Sequence, residues 1–271
     1  MTELSSWLLI ALGGAAGLVG ALLGLGGGIF LVPLLTLALG VPIRAAIAAS
    51  LISVIATASA SSMVNLDRGL VNLRLGMVLE VATSIGGLAG GITAALLSPR
   101  HLFLLFGLTL AGMGVIMARR SGRRNVIPDT GIDPGRLGGR ILEGQTPYVY
   151  RVRLLPLALA ASLAAGAISG LLGLGGGIIK VPILTAFCGI PIRVAAATSA
   201  FMIGVTAAAS SFLYFARGDV FLPLSAAIAL GALPGSLLGA QLTHRVQTRS
   251  LKVIMAVVLL IMGIQMALKT L

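Results

Sequence analysis

The sequence predicts an all-α polytopic membrane protein: two repeats, each holding a glycine-broken helix or hairpin, and about 8–10 membrane segments in total. Three observations point there. Of 271 residues, 58% are hydrophobic and 10% charged, where a soluble domain carries roughly a quarter charged residues. Mean hydropathy is +1.09, and apolar runs of about 20 residues, enough to cross a bilayer, follow one another along the chain. A glycine-rich motif occurs twice with its flanking residues in register.

The elements follow from the apolar runs. Those of the first half lie near 6–24, 27–40, 44–66, 73–98 and 101–118, and those of the second near 154–173, 177–190, 192–216, 220–243 and 250–271. The opening run has Glu3 and no Lys or Arg before it, so it lacks the charged region of a signal peptide and is expected to remain as a span. The second run of each half is too short to cross as a straight helix. It follows a glycine cluster and ends at a Gly-x-Pro turn, which predicts a half-helix or one arm of a broken hairpin.

The duplication is explicit. Leu22-Leu23-Gly24-Leu25-Gly26-Gly27-Gly28-Ile29 returns as Leu171-Leu172-Gly173-Leu174-Gly175-Gly176-Gly177-Ile178, an offset of 149 residues. The same offset relates Val32-Pro33 to Val181-Pro182, Pro42-Ile43-Arg44 to Pro191-Ile192-Arg193, and Arg68-Gly69 to Arg217-Gly218. Residues 1–118 therefore form an N-terminal membrane repeat and 154–271 a C-terminal one. Between them, 119–153 is rich in Pro, Gly and Arg and reads as an extramembrane linker, in which Val149–Val152 alternates like a short strand.

Charge supplies topology. The chain holds 19 Lys and Arg against 7 Asp and Glu, a net charge of +12. In a soluble domain this balance suggests nucleic acid; in a membrane protein it marks cytoplasmic loops, so no nucleic-acid partner is expected. Five passes per half place Arg68, Arg74, the linker arginines, Arg193, Arg245, Arg249 and Lys252 inside. Only Arg44, Arg100, Arg217 and Lys269 then fall outside. This favours inverted halves with a cytoplasmic linker over parallel halves of four passes each, which divide the cations less unevenly.

Candidate site residues come from three patterns. Gly24, Gly26, Gly27, Gly28 and Gly173, Gly175, Gly176, Gly177 match neither a dinucleotide fingerprint nor a P-loop. Consecutive glycines unwind a helix, and paired breaks in two halves point to a midplane site whose exposed N–H groups attract an anion. The competing reading is close helix packing. Ser50, Ser53, Thr57 and Ser61 share one helical face, as do Ser199, Thr206 and Ser210. They suit an oxyanion, or bond between helices and back onto their own carbonyls. Lys180 and Glu80 stand in apolar runs, where charge is expensive and functional by default: Lys180 as an anion counter-charge, Glu80 as a proton-coupling group, or both as residues snorkelling to an interface. Cys188 reads as a small core residue, and His101 and His244 as interface residues. No metal or cofactor set and no catalytic grouping is present, so an enzyme is not expected.

The doubled Gly-x-Gly-Gly-Gly-(x)3-Val-Pro motif, the Gly-x-Pro-x-Arg-x-Ala that follows and the paired serines Ser61-Ser62 and Ser210-Ser211 resemble the sulfite exporter TauE/SafE family, also described as toluene-sulfonate uptake permeases. The resemblance covers about 7–118 and 154–271. It implies a secondary transporter of sulfite, sulfonates or related organosulfur anions, with Gly24 to Gly28, Gly173 to Gly177, Pro33 and Pro182 as the matching positions. Lys180 in place of Leu31 and the long basic linker depart from a symmetric pattern. A passive anion channel and an integral-membrane enzyme or cofactor-carrying subunit are the alternatives.

Overall fold

The computed structural model describes residues 3–23, 26–119, 127–128, 133–143, 146–242, 260–266 and 268. Helix α1 spans Glu3–Leu23, α2 Gly28–Pro33, α3 Ile43–Asp67, α4 Leu73–Leu96 and α5 Pro99–Arg119. After the linker come α6 Leu155–Leu172, α7 Gly177–Ala186, α8 Ile192–Ala216 and α9 Leu222–Leu242; residues 260–266 are also helical. Five of these helices, α3, α4, α6, α8 and α9, are long and apolar enough to cross a membrane. At ~1.5 Å per residue α3 is about 37 Å long, against a hydrocarbon core of about 30 Å. His244, Arg245, Arg249, Lys252 and Lys269 lie outside the described residues.

The short runs are half-helices. Helix α2 passes Pro33 and widens into a π-helical turn, Leu34–Ala38, because proline has no N–H for the carbonyl four residues earlier. Together they rise about 16 Å, half the core. Pro182 sits inside α7 in the same way. The Thr36 hydroxyl donates to Val32 O at 2.8 Å, and Thr185 donates to Val181 O. Gly40 and Gly189 then turn left-handed, at φ 64° and 76°. Pro42 and Pro191 follow, extended, as N-caps of α3 and α8.

Helices pack through backbone contact. A Cβ on Gly86 or Gly90 of α4 would overlap the Leu163 or Ala167 carbonyl of α6, and one on Gly166 or Gly170 would overlap Thr83 or Gly87. Gly13 and Gly17 of α1 meet Ile228 and Ala232 of α9 in the same manner. Small residues let membrane helices approach this closely, and dispersion then holds them. Along each pair both numbers rise together, so α1 runs parallel to α9 and α4 to α6. Gly76 of α4 faces Thr198 of α8, and Gly91 faces Leu213, so these two are parallel as well.

Arginines at helix ends complete the directions. Arg44 at the start of α3 donates to Leu97 O, just past the end of α4, at 3.0 Å, so these helices are antiparallel. Arg68 at the end of α3 donates to Ala240 O of α9 at 3.1 Å, and Arg217 at the end of α8 donates to Gly91 O of α4 at 2.9 Å. Helices α4, α6 and α8 therefore point one way and α1, α3 and α9 the other. Each helix of the first trio runs opposite to the one 149 residues away.

The linker contains an antiparallel sheet in the order β1 (Ile127–Pro128), β3 (Thr146–Tyr150), β2 (Gly139–Glu143). The strand expected at Val149–Val152 lies earlier: Arg151 to Leu154 leave the sheet, because Arg153 N donates to Cys188 O in the α7–α8 turn. The sheet is docked on the end of the bundle. Ile141 and Tyr150 pack with Leu75, Leu79, Cys188, Ile190 and Val194, and Cys188 is buried as expected. Asn72 is the node. Its Oδ1 accepts from Leu75 N at 3.0 Å and caps α4. Its Nδ2 donates to Leu137 O at 2.8 Å and to the Tyr150 hydroxyl at 2.9 Å. Its own N–H donates to Thr198 Oγ1 at 2.9 Å. Burial pushes the Tyr150 hydroxyl above the ordinary tyrosine range.

Overpacking predicts that Gly90→Val and Gly235→Val each lower the unfolding temperature in detergent, at a cost of about 1–3 kcal/mol. Gly112→Ala, with open space around it, leaves that temperature unchanged. Asn72→Ala removes a cap worth ~0.5–2 kcal/mol together with the tie to the sheet. Trypsin then cuts faster at the exposed Arg136 and Arg140; a rate equal to wild type would show that Asn72 does not hold the linker.

Candidate functional site

The two glycine breaks touch. Gly26 and Gly27 take φ of 80° and 72°, and Gly173, Gly175 and Gly176 take 70°, 77° and 67°, left-handed values that glycine adopts without steric penalty. A Cβ on Gly28 would meet the Gly173 carbonyl, Ser50 Oγ and Val54. Ser50, fully buried on α3, donates to Gly173 O at 2.8 Å and lies 3.2 Å from Gly28 O. One hydroxyl thus serves carbonyls from both unwound segments. Thr57 Oγ1, one face-repeat further, reaches Gly26 O at 2.9 Å. Gly24 lies outside the described residues.

First-turn amides are already partly engaged. Gly28 N donates to Gly26 O at 2.8 Å and Phe30 N to Gly27 O at 3.2 Å. Gly177 N donates to Gly175 O at 2.8 Å, and Ile179 N and Lys180 N each reach Gly176 O at 3.3 Å. The breaks are therefore tight, self-bonded turns, and backbone N–H groups are a smaller part of any anion site than the glycine count suggests.

The hydroxyl faces divide. Ser61 donates to Thr57 O at 2.8 Å and Ser210 to Thr206 O at 2.9 Å. These hydrogens are held by their own helices, as back-bonding requires. Ser50 and Thr57 tie the breaks together. Ser199, in register with Ser50, has a buried hydroxyl with no hydrogen-bond partner, and so do Ser53, Ser162 and Ser169. Ser162 and Ser169 escaped the sequence reading. Their signal was present: they are the only hydroxyl residues of α6, seven apart and leading into the second break.

Lys180 and Glu80, far apart in sequence, both lie in the interior of the bundle without a hydrogen bond between them. Lys180 on α7 is 1% exposed and Glu80 on α4 is 7% exposed, so neither snorkels. Each acts on the other electrostatically. Thr206 of α8 donates to Glu80 Oε1 at 2.7 Å, and Ser84 donates to the same oxygen at 2.9 Å. Glu80 Oε2 and Lys180 Nζ have no hydrogen-bond partner. Thr57 bonds to the first break, whereas Thr206 turns to the carboxylate. Periodicity puts Thr206 on a hydroxyl face; only packing supplies Glu80 as its partner. Among the described residues no three His, Cys, Asp or Glu side chains gather as a metal site would require.

A cleft of about 610 Å³ opens at the end of the bundle opposite the sheet, lined by residues that include Val41, Pro42, Arg44, Phe103, Asp219 and Phe221. Arg44 Nε is buried there without a partner.

A sequence profile of the family described as sulfite exporter TauE/SafE matches residues 9–266. The chain belongs to that family. It is a multi-pass membrane transporter of the TauE/SafE group, similar to several proteins described as probable membrane transporters. YunE of Bacillus subtilis is 28% identical over 266 residues, 96% of each chain. A protein of Xylella fastidiosa strain 9a5c is 29% identical over 90% of this chain and 87% of its own. One from Methanocaldococcus jannaschii is 25% identical over 96% of this chain and 95% of its own. No solved structure matches the chain.

Ser50→Ala leaves Gly173 O and Gly28 O without their hydroxyl donor in a dry interior. That costs ~1–3 kcal/mol and is read as a fall in unfolding temperature. Ser61→Ala removes only a bond back to its own helix and shifts stability by less than about 0.5 kcal/mol.

Proposed function

We propose that this TauE/SafE transporter is a secondary carrier of small sulfur-containing anions, sulfite, a sulfonate or a related organosulfur anion, and not an enzyme. The observation that carries the reading is Lys180, a fully buried cation whose ammonium has no hydrogen-bond partner, seated just past a glycine break that touches a second one. Glu80 balances the Lys180 charge at a distance but makes no hydrogen bond to it, so the ammonium's N–H donors remain open to an anion. Ser169, beside Gly176, and Ser199 on α8 are buried hydroxyl donors of the second half that have no acceptor. Gly175, Gly176 and Gly177 supply the open backbone that lets α7 begin inside the bundle.

Residues 1–118 and 154–271 act as two halves of inverted topology, which the opposed directions of α1 and α6, α3 and α8, and α4 and α9 support. They rock around the contact between Gly28 and Gly173, exposing the site to each side of a prokaryotic inner membrane in turn. The 119–153 linker faces the cytoplasm, as its arginines favour. Arg44 in the open cleft attracts the anion from the far side.

In proteoliposomes the protein is expected to move sulfite or methanesulfonate saturably and against a concentration gradient when a proton gradient or a membrane potential is imposed. Lys180→Met raises the half-saturating concentration at least about tenfold, the effect of removing a charged contact worth ~1.5–3 kcal/mol. An ohmic current without saturation or coupling would instead assign the chain to the channels.

A further inference from the structure

We infer that Glu80 and Lys180 form a charge-exchange pair that makes the carrier a symporter of one proton with one monovalent anion. This rests on the anion site proposed above. Before the anion arrives, the carboxylate and the ammonium neutralise one another inside an apolar bundle. A monovalent anion seated against Lys180 makes the cluster net negative, and an unneutralised charge in such surroundings is strongly disfavoured. The cluster restores neutrality when a proton from the water on the entry side binds Glu80 Oε2, the oxygen without a hydrogen-bond partner. Oε1, held by Thr206 and Ser84, keeps the carboxyl in place in both forms. Anion and proton leave together on the opposite side, and the two buried charges again balance one another.

No other charge is positioned to take this role among the described residues. Among the described residues, Glu80 and Lys180 are the only charged side chains that are buried. Helix α6, packed on α4, carries no charged side chain. Helix α8 offers Thr206 at this level; its ionisable residues, Arg193 and Tyr214, stand near its two ends. The positions in register with the pair, Leu31 and Ala229, are apolar, so the device exists once in the molecule. Charge balance also defines the substrate class. A monovalent anion with one proton crosses without net charge, whereas a dianion leaves a negative charge uncompensated, so a sulfonate or hydrogen sulfite fits and a fully ionised dianion does not.

The test uses methanesulfonate, which is singly charged at every working pH. In weakly buffered detergent solution, wild-type protein is expected to take up about one proton per anion bound. In proteoliposomes, an acidic exterior accelerates uptake, a proton enters with each anion, and a clamped membrane potential has no effect. Glu80→Gln lowers the proton count from about one to about zero, and anion entry then carries current and responds to potential. Binding by wild type without proton uptake overturns the inference even if Glu80→Gln fails to fold, and so does an unchanged proton count in a folded Glu80→Gln protein. If wild type neither binds nor moves methanesulfonate or sulfite, the anion-carrier reading fails together with it; if it moves them without protons, only the symport fails.

Discussion

Two unwound backbones in contact inside an apolar bundle set the terms for the rest of this molecule. Away from water, a carbonyl without a partner costs several kcal/mol, so a helix opens in such surroundings only where something else bonds to it. Ser50 does this for both breaks at once, and Thr57 does it for Gly26. Helix α3 is therefore a strut that satisfies the broken segments, and the half-helices α2 and α7 start inside the bundle because of it. Tyr214 adds to the same economy by donating to Gly170 O at 3.1 Å, just before the second break.

Around that centre, the long helices are held by surface matching at the closest range a backbone permits. Glycine faces carbonyl along α1 and α9 and along α4 and α6. The apolar side chains this releases point outward: α4 exposes Met77, Val81, Ile85 and Ile92, as a lipid-facing surface does. Many of the 37 glycines thus serve packing, while the two clusters serve the breaks. Packing and helix breaking fall to different glycines.

Asymmetry is laid over this frame. Lys180 stands in register with Leu31, and Glu80 with Ala229. Thr206 answers Glu80 where Thr57 answers a glycine. One end of the bundle is covered by the linker sheet through Asn72 and Tyr150, and the other opens into the cleft beside Arg44. The charged pair lies on α4 and α7, between the covered end and the centre. The charged residues, the cover and the opening each fall on one side of a chain whose glycine motif occurs twice.

The sequence by itself determined the class, the long apolar helices, the half-helices and the two glycine breaks. These depend on local chemistry: run length against bilayer thickness, glycine and proline against helix, and a motif that recurs in register. It also singled out Lys180 and Glu80, since charge in an apolar run is visible without a fold. Tertiary structure decided what these residues meet. That Ser50 binds both breaks, that Ser61 and Ser210 bond only to their own helices, that Thr206 turns to Glu80, and that the linker docks through Asn72 are outcomes of contacts between residues far apart in the chain. A hydroxyl has the same letter whether its hydrogen goes to its own helix, to a broken segment or to a carboxylate, and only the packing of α3, α4, α6, α7 and α8 chooses among them.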